Sequence, residues 1–295
     1  MEYIISNGKI QTEACEINVV HHCNLTCRSC SHLSPNSKKY FIEPSRVYDD
    51  LSILTKFYQP EHIRLVGGEP LLHPQLLNVI EAIRRSGITN CIRILTNGIL
   101  LGRMSDQFWQ SVDEVHLSIY PGSNISSRML DYYHQKAKDY HVHFEILFFD
   151  YFREAYSDLG TQNKNLVQRI FLTCQISQIW RCHNIYNGYF FKCPQSLFFP
   201  QGLSEAGEFI LPGDGIKLEN KDSFFAVLLN FLQSPTPLSA CNYCLGSTGQ
   251  RFPHEQVHGK ENELRRLTTE ETIDWGFLQL LENDPHADNQ CVRVI

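Results

Sequence analysis

The sequence predicts an α/β protein built on a mainly parallel sheet, followed by a smaller C-terminal part with a different pattern. From about residue 12 to residue 175, short apolar runs alternate with segments whose apolar residues recur at helical spacing. That alternation is the mark of parallel strands joined by right-handed helical crossovers. Beyond about residue 175 it stops, and a hairpin signal and a proline-containing loop replace it.

The elements follow in order. Residues 15–20 (CEINVV) read as a strand and lead into a cysteine-bearing loop that ends at Ser34-Pro35-Asn36. Residues 44–58 carry apolar positions at helical spacing, with Pro44 suited to a first helical turn. Residues 62–66 (HIRLV) form a strand ending in Gly67-Gly68, and residues 74–86 a helix closed by Gly87. Residues 91–95 (CIRIL) form a strand before the turn signal Thr96-Asn97-Gly98. A short helix over 104–112, a strand over 114–119, a helix over about 126–140 and strands over 143–149 and 168–174 complete this part. Periodicity alone does not decide whether such units close into a partial barrel or stay flat.

In the C-terminal part, residues 182–193 (CHNIYNGYFFKC) read as a hairpin turning at Asn187-Gly188. Residues 203–222 are loop-rich and acidic, and residues 223–233 form an apolar helix. Pro235 and Pro237 lead into Cys241-Asn242-Tyr243-Cys244, and an amphipathic helix over about 268–283 precedes the tail.

A chain of 295 residues can bury a full core in one large domain or two smaller ones. Its formal charge of −6 argues against non-specific nucleic-acid binding, which needs a basic face. No stretch reaches the ~18 continuous apolar residues of a membrane span, and MEYIISNGKIQ lacks the features of a leader. No membrane association and a cytoplasmic location are therefore expected. Eleven cysteines are many for such a chain. Disulfides are rare in that compartment, so clustered cysteines point to metal.

Cys23, Cys27 and Cys30 stand in HHCNLTCRSC with C-x3-C-x2-C spacing. Three thiolates on one loop can hold three irons of a 4Fe–4S cluster and leave the fourth open for chemistry. Alone, the triplet also suits zinc, with His21 or His22 as fourth ligand. One helix and one strand later comes Gly67-Gly68-Glu69-Pro70, again at the end of an apolar run. Together and in this order, the two motifs resemble those of the radical S-adenosylmethionine (radical SAM) enzymes. The resemblance implies a partial (β/α)6 barrel, a 4Fe–4S cluster on Cys23, Cys27 and Cys30, and S-adenosyl-L-methionine bound at its open iron. It also implies that Gly67, Gly68, Glu69 and Pro70 contact that cofactor. Thr96, Asn97 and Ser118, at or near the ends of the next strands, become further cofactor contacts, and a flavodoxin- or ferredoxin-type protein the electron donor. One departure is Ser29, where the family usually carries an aromatic residue that packs against adenine.

The C-terminal part resembles the twitch/SPASM auxiliary-cluster domains. Gly188 and Cys193 fit the G-x4-C half of their first motif. In a hairpin turning at Asn187-Gly188, Cys182 and Cys193 lie opposite each other, and directly paired residues have Cβ atoms about 5 Å apart. A second 4Fe–4S cluster is thus expected on Cys182, Cys193, Cys241 and Cys244. Cys174 is the rival for the first place, because its distance from Gly188 suits the family motif better. After Cys244 only Cys291 remains, which favours the shorter twitch form over full SPASM. A zinc ribbon shares the paired spacing and stays open as an alternative. The expected domains are a barrel over 12–175, a twitch-like α+β domain with a hairpin over 176–250, and a helix and tail over 251–295.

Cys291 is a candidate hydrogen donor if the tail reaches the barrel mouth. His32, His116, Tyr120 and Glu145 lie near strand ends or the cysteine loop and could serve as bases or hydrogen-bond donors; His183 and His254 have no assigned role. The expected function is hydrogen abstraction from a small polar substrate such as a sugar, aminocyclitol or nucleoside, for dehydrogenation, epimerisation or dehydration in biosynthesis. The alternatives are a peptide-modifying radical enzyme and a non-enzymatic zinc-binding module.

Overall fold

The computed structural model describes residues 2–202, 213–257, 266–288 and 291–294. Half of the expected acidic loop over 203–222, residues 203–212, lies outside the described residues.

The first half builds the sheet. β1 (Ile4–Ser6) folds back on β2 (Lys9–Val20) through Asn7-Gly8, both at positive φ. There follow α1 (Pro44–Leu54), β3 (Tyr58–Gly67), α2 (Leu76–Ser86), β4 (Cys91–Thr96), α3 (Asp106–Ser111), β5 (Glu114–Ile119), α4 (Ser127–Asp139) and β6 (His143–Phe148). β7 (Tyr151–Arg153) and α5 (Lys164–Thr173) lead into the hairpin of β8 (Asn184–Tyr186) and β9 (Tyr189–Phe191). The remainder is α6 (Pro194–Gly202), β10 (Ile216–Lys217), α7 (Phe224–Gln233), β11 (Arg251–Pro253), α8 (Thr269–Thr272), α9 (Trp275–Asn283) and β12 (Arg293–Val294).

Six strands run parallel, in the order β8-β2-β3-β4-β5-β6. β9 and β10 extend the sheet beyond β8, and β12 pairs antiparallel with β6 at the other end. The sheet is open, a partial α/β barrel architecture, and it continues through the expected domain boundary near residue 175.

Strand periodicity gives this sheet two unlike faces. Ile17, Val19, Ile63, Leu65, Ile92, Ile94, Val115 and Leu117 pack under α1 to α4 against Val47, Leu51, Ile80, Ile83, Trp109 and Tyr133. Burial of each such side chain contributes roughly 1.5–3 kcal/mol. The alternate residues Glu16, Asn18, Arg64, Arg93, Glu114, His116 and Glu145 occupy the other face. The inner side of the sheet is therefore polar and half-open, and the candidate site lies along it. Two small satellite cores serve the second half. One joins Tyr186, Phe191, Leu197, Phe199, Ala240 and Cys244, and the other joins Leu166, Ile170, Leu245, Ile273 and Leu278.

Three expectations need correction. Residues 168–174 are not a strand but the end of helix α5. Asn163 caps it by accepting from the Leu166 N–H, and Leu166, Val167, Ile170 and Phe171 bury one helical stripe; a short apolar run does not distinguish the two states. The helix from Pro44 stops at Leu54, and Tyr58 already begins a strand, because Tyr58 is fully buried against the base of β2. The helix expected over 268–283 is two pieces, since Asp274 breaks the run and caps α9 by accepting from the Phe277 N–H. The hairpin forms as read, with Asn187 at φ 45° and Gly188 at φ 83°.

Candidate active site

The cysteine loop leaves the C-terminal end of β2, and the Gly67-Gly68 segment is laced directly to it. The Gly68 N–H donates to Val20 O (2.8 Å) and the Glu69 N–H to His22 O (3.2 Å). A Cβ on Gly67 would stand 2.0 Å from Val20 O, and one on Gly68 1.9 Å from His22 O. Only glycine permits this approach, so both glycines fix where Cys23 begins.

Glu69 is buried and ties β3 to β4. Its Oε1 accepts from Thr96 Oγ1 (2.7 Å) and the Leu71 N–H (3.1 Å), and its Oε2 from the Asn97 N–H (2.9 Å). Asn97 Nδ2 in turn donates to Asn24 Oδ1 (2.7 Å) and, at 3.7 Å, to Cys23 Sγ. The carboxyl thus props the turn that faces the cysteines.

Burial raises the Glu69 carboxyl to about 7, and its three hydrogen bonds pull the other way. With the folded value raised, the stability this group contributes is complete below its ordinary value of 4.5 and is lost as pH climbs through about 7. The urea midpoint should therefore fall over that interval on its account. Glu69→Gln should flatten the fall; an unchanged slope in the variant would remove Glu69 as its cause.

Cys23, Cys27 and Cys30 line one cavity of about 250 Å³ together with Gly67, Gly68, Glu69, Thr96, Asn97, Ser118, His32, Tyr120, Phe149 and Phe152. Every cofactor-contact candidate from the sequence except Pro70, which starts a buried 3-10 turn behind Glu69, reaches this cavity. Burial holds Cys23 up at about 12, and burial followed by the neighbouring Cys30 and Cys23 thiols raises Cys27 as well. Such a set ionises when a cationic centre offsets the crowding. Two of the sulfurs already have polar neighbours: Asn97 Nδ2 donates toward Cys23, and His254 Nε2 lies 3.2 Å from Cys27 Sγ. The His32 Nε2 is buried without a hydrogen-bond partner at the cavity wall.

The cysteine loop is clasped by distant chain. β7 and β11 pair, and the segment after β11 runs antiparallel to the loop, with the Arg28 N–H donating to Glu255 O (3.0 Å) and the Val257 N–H to Thr26 O (2.9 Å). Arg28 pairs with buried Glu154 and with Glu255 and lies over the Phe252 ring. His254 stacks on Tyr120 at 4.7 Å. Ser29, at positive φ, accepts the Ala155 N–H (2.8 Å), so the position expected to carry an aromatic residue holds backbone instead. The sequence singles out His254 only as a histidine without a role, and nothing local in it points to Arg28 or Glu154.

A second set of thiols lies in the C-terminal part. Cys174, Cys193, Cys241 and Cys244 are mutual electrostatic neighbours. The Gly246 N–H donates to Cys244 Sγ (3.2 Å), and a Cβ on Gly246 would meet Cys174 Sγ at 3.2 Å. Cys182 is nearby, but its strongest charged neighbour is Glu16, whose carboxylate accepts from the Cys182 thiol. The structure thus brings Cys174 into the group and leaves Cys182 beside Glu16 as well as beside the Cys193 and Cys174 thiols. Lys192, fully buried, donates to Ser234 O (3.0 Å) beside the same group.

Cys291 is buried and lines a second cavity of about 260 Å³ with Ser29, Ser31, Phe149, Phe152, Gly246 and Ser247. Pairing of β12 with β6 carries it there. This cavity shares Ser31, Phe149 and Phe152 with the first. Deeper on the polar face, His62 and His116 are held at about 4, with burial the largest cause and Arg93 next. His183 is buried between the hydroxyls of Tyr3 and Tyr58, a satisfied core histidine. Among the described residues no helix is long and apolar enough to cross a membrane.

Residues 17–147 match the Radical SAM superfamily. Curated relatives include the GTP 3′,8-cyclase of Microcystis aeruginosa, 27% identical over 107 residues, 34% of this chain and 32% of that one. The GTP 3′,8-cyclase of Trichodesmium erythraeum is 31% identical over 102 residues, 32% of this chain and 30% of that one. The chain thus spans about a third of the length of the curated relatives it matches. Among solved structures, BtrN in complex with AdoMet and 2-DOIA aligns over 87% of this chain and 98% of its own, at 16% identity and a TM-score of 0.42. anSMEcpe with bound AdoMet aligns over 46% and 43%, at 18% identity and a TM-score of 0.36. The similarity to radical SAM proteins thus lies in residues 17–147, the part that holds the cysteine loop and the Gly67–Glu69 segment.

Proposed function

We propose that this chain, whose residues 17–147 are a radical SAM domain, cleaves S-adenosylmethionine reductively and removes a hydrogen atom from a small polar substrate. The observation that carries the reading is the convergence of Cys23, Cys27 and Cys30 with Gly67, Gly68 and Glu69 on one cavity. A 4Fe–4S cluster on the three thiolates would supply the electron that releases the 5′-deoxyadenosyl radical.

The chain's own residues then have separable tasks. Gly67 and Gly68 let backbone approach the cofactor, while Glu69 holds Thr96 and Asn97 in place. Asn97 donates toward Cys23, and His254 would donate to Cys27 once that sulfur is a thiolate, the kind of contact that tunes a cluster. Phe149 and Phe152 line both cavities and would keep water from the reacting atoms. The second cavity, between the cysteine loop and the Cys244–Ser247 loop, suits a sugar, aminocyclitol or nucleoside. Cys291 on its wall would return a hydrogen atom in an epimerisation. Cys174, Cys193, Cys241 and Cys244 are the thiols we assign to a second cluster in a twitch-like region. A cluster there could take an electron from the substrate side in an oxidation.

The test is anaerobic reconstitution with iron and sulfide, followed by S-adenosylmethionine and dithionite. Formation of 5′-deoxyadenosine supports the reading. A colourless protein that holds zinc alone and leaves the cofactor intact would sink it in favour of a binding module.

A further inference from the structure

The polar face of the sheet carries a second group of metal-ligating side chains that the radical chemistry does not use. It lies on β5 and β6, toward the strand ends remote from the cysteine loop. On β6, His143 and Glu145 are two residues apart and so project from one face. His116 on β5 is the direct register partner of Glu145. Ser118, two residues further along β5, lines the cofactor cavity, which fixes the face as the inner one.

The ligating atoms of His116, His143 and Glu145 all lie within 4.8 Å of one another. His116 Nε2 stands 3.1 Å from Glu145 Oε2 but is not aligned for a hydrogen bond, and this buried nitrogen has no hydrogen-bond partner. Glu114 is also near, at 3.7 Å, but Arg93 engages it. Arg64 is matched by Glu13 and Glu16. Among the described residues, no lysine or arginine pairs with Glu145. The group therefore holds two imidazoles and one carboxylate, and the carboxylate is not paired with a lysine or arginine among the described residues.

We propose that His116, His143 and Glu145 bind one divalent first-row transition-metal ion, of the Zn²⁺ or Fe²⁺ type, separate from both thiol sets. Two nitrogens and one carboxylate oxygen are the donor set such ions take, and three ligands leave positions open. Metal–ligand distances of about 2.0–2.2 Å already suit the 3.1 Å His116–Glu145 spacing. His143 is exposed, so its ring can turn to close the remaining gap, and it gives the ion a way in. The bound ion would pin β6, the last parallel strand, to β5.

The test uses the cluster-reconstituted chain, cleared of loose metal and titrated with Co²⁺. One equivalent should bind with the weak visible bands of nitrogen and oxygen ligation and no sulfur-to-cobalt charge-transfer band. His116→Ala and Glu145→Gln should each weaken binding at least tenfold, with iron content retained as evidence of folding. His143→Ala, at an exposed position, supplies the same test if the buried variants do not fold. No binding, a sulfur charge-transfer band on the bound cobalt, or affinity that survives His143→Ala would overturn the proposal.

Discussion

Replacing Cys23, Cys27 and Cys30 together by alanine should reduce 5′-deoxyadenosine formation to the reductant-only background and remove one cluster, about four irons. The effect is expected to be all-or-none. Each thiol is a ligand type that alanine cannot replace, and the three share one cavity with the Gly67–Glu69 segment. The loop itself should survive the change. Its course is set by Gly68 and Glu69 hydrogen bonds to Val20 and His22, and by Arg28 and Val257 contacts from the distant clasp. The triple variant should thus stay folded and keep whatever metal the second thiol set holds. Iron content measured beside cofactor cleavage checks this. A variant that still cleaves S-adenosylmethionine would remove the three cysteines from the reaction.

The site was legible in the sequence where it is local. C-x3-C-x2-C and Gly-Gly-Glu-Pro are short runs whose spacing is their geometry, and the strands before them alternate visibly. Cys15, Ile17 and Val19 face the helices while Glu16 and Asn18 face the interior. The Asn187-Gly188 turn could be read because positive φ at two successive positions selects those residues. What stayed hidden depends on contacts far apart in the chain. Arg28 meets Glu255 across 227 positions, and Ser29 meets Ala155 across 126. No periodicity records such pairs. Residues 168–174 misled for a different reason. Ile170-Phe171-Leu172-Thr173 has strand-like composition, and its helical state comes from the Asn163 cap and from burial against α9.

The same limit explains the choice between Cys174 and Cys182, and it yields a sharp test. Hairpin register places residues 182 and 193 opposite each other, and the observed pairing of Asn184 with Phe191 keeps that register. Register, however, fixes backbones and not the direction of a thiol just outside the strand. Cys182 gives its hydrogen to Glu16, a buried carboxylate that also accepts from Asn184 Nδ2 (2.9 Å) and lies 3.9 Å from Arg64. A thiol spent on a carboxylate is poorly placed as a thiolate ligand, since two anions would then face each other. Cys174 sits at the end of α5 beside Gly246 and Cys244, with sulfur neighbours at Cys193 and Cys241. Cys174→Ala should therefore lose the second metal, about four irons if it is a cluster or one zinc if it is a ribbon. Cys182→Ala should keep that metal and lose only a small amount of stability, in line with about 1–3 kcal/mol for a carboxylate left short of one donor. Metal analysis of the two variants, each with Cys23, Cys27 and Cys30 intact, separates the cases. Loss of the second metal in Cys182→Ala and its retention in Cys174→Ala would restore the hairpin pair as the ligand set.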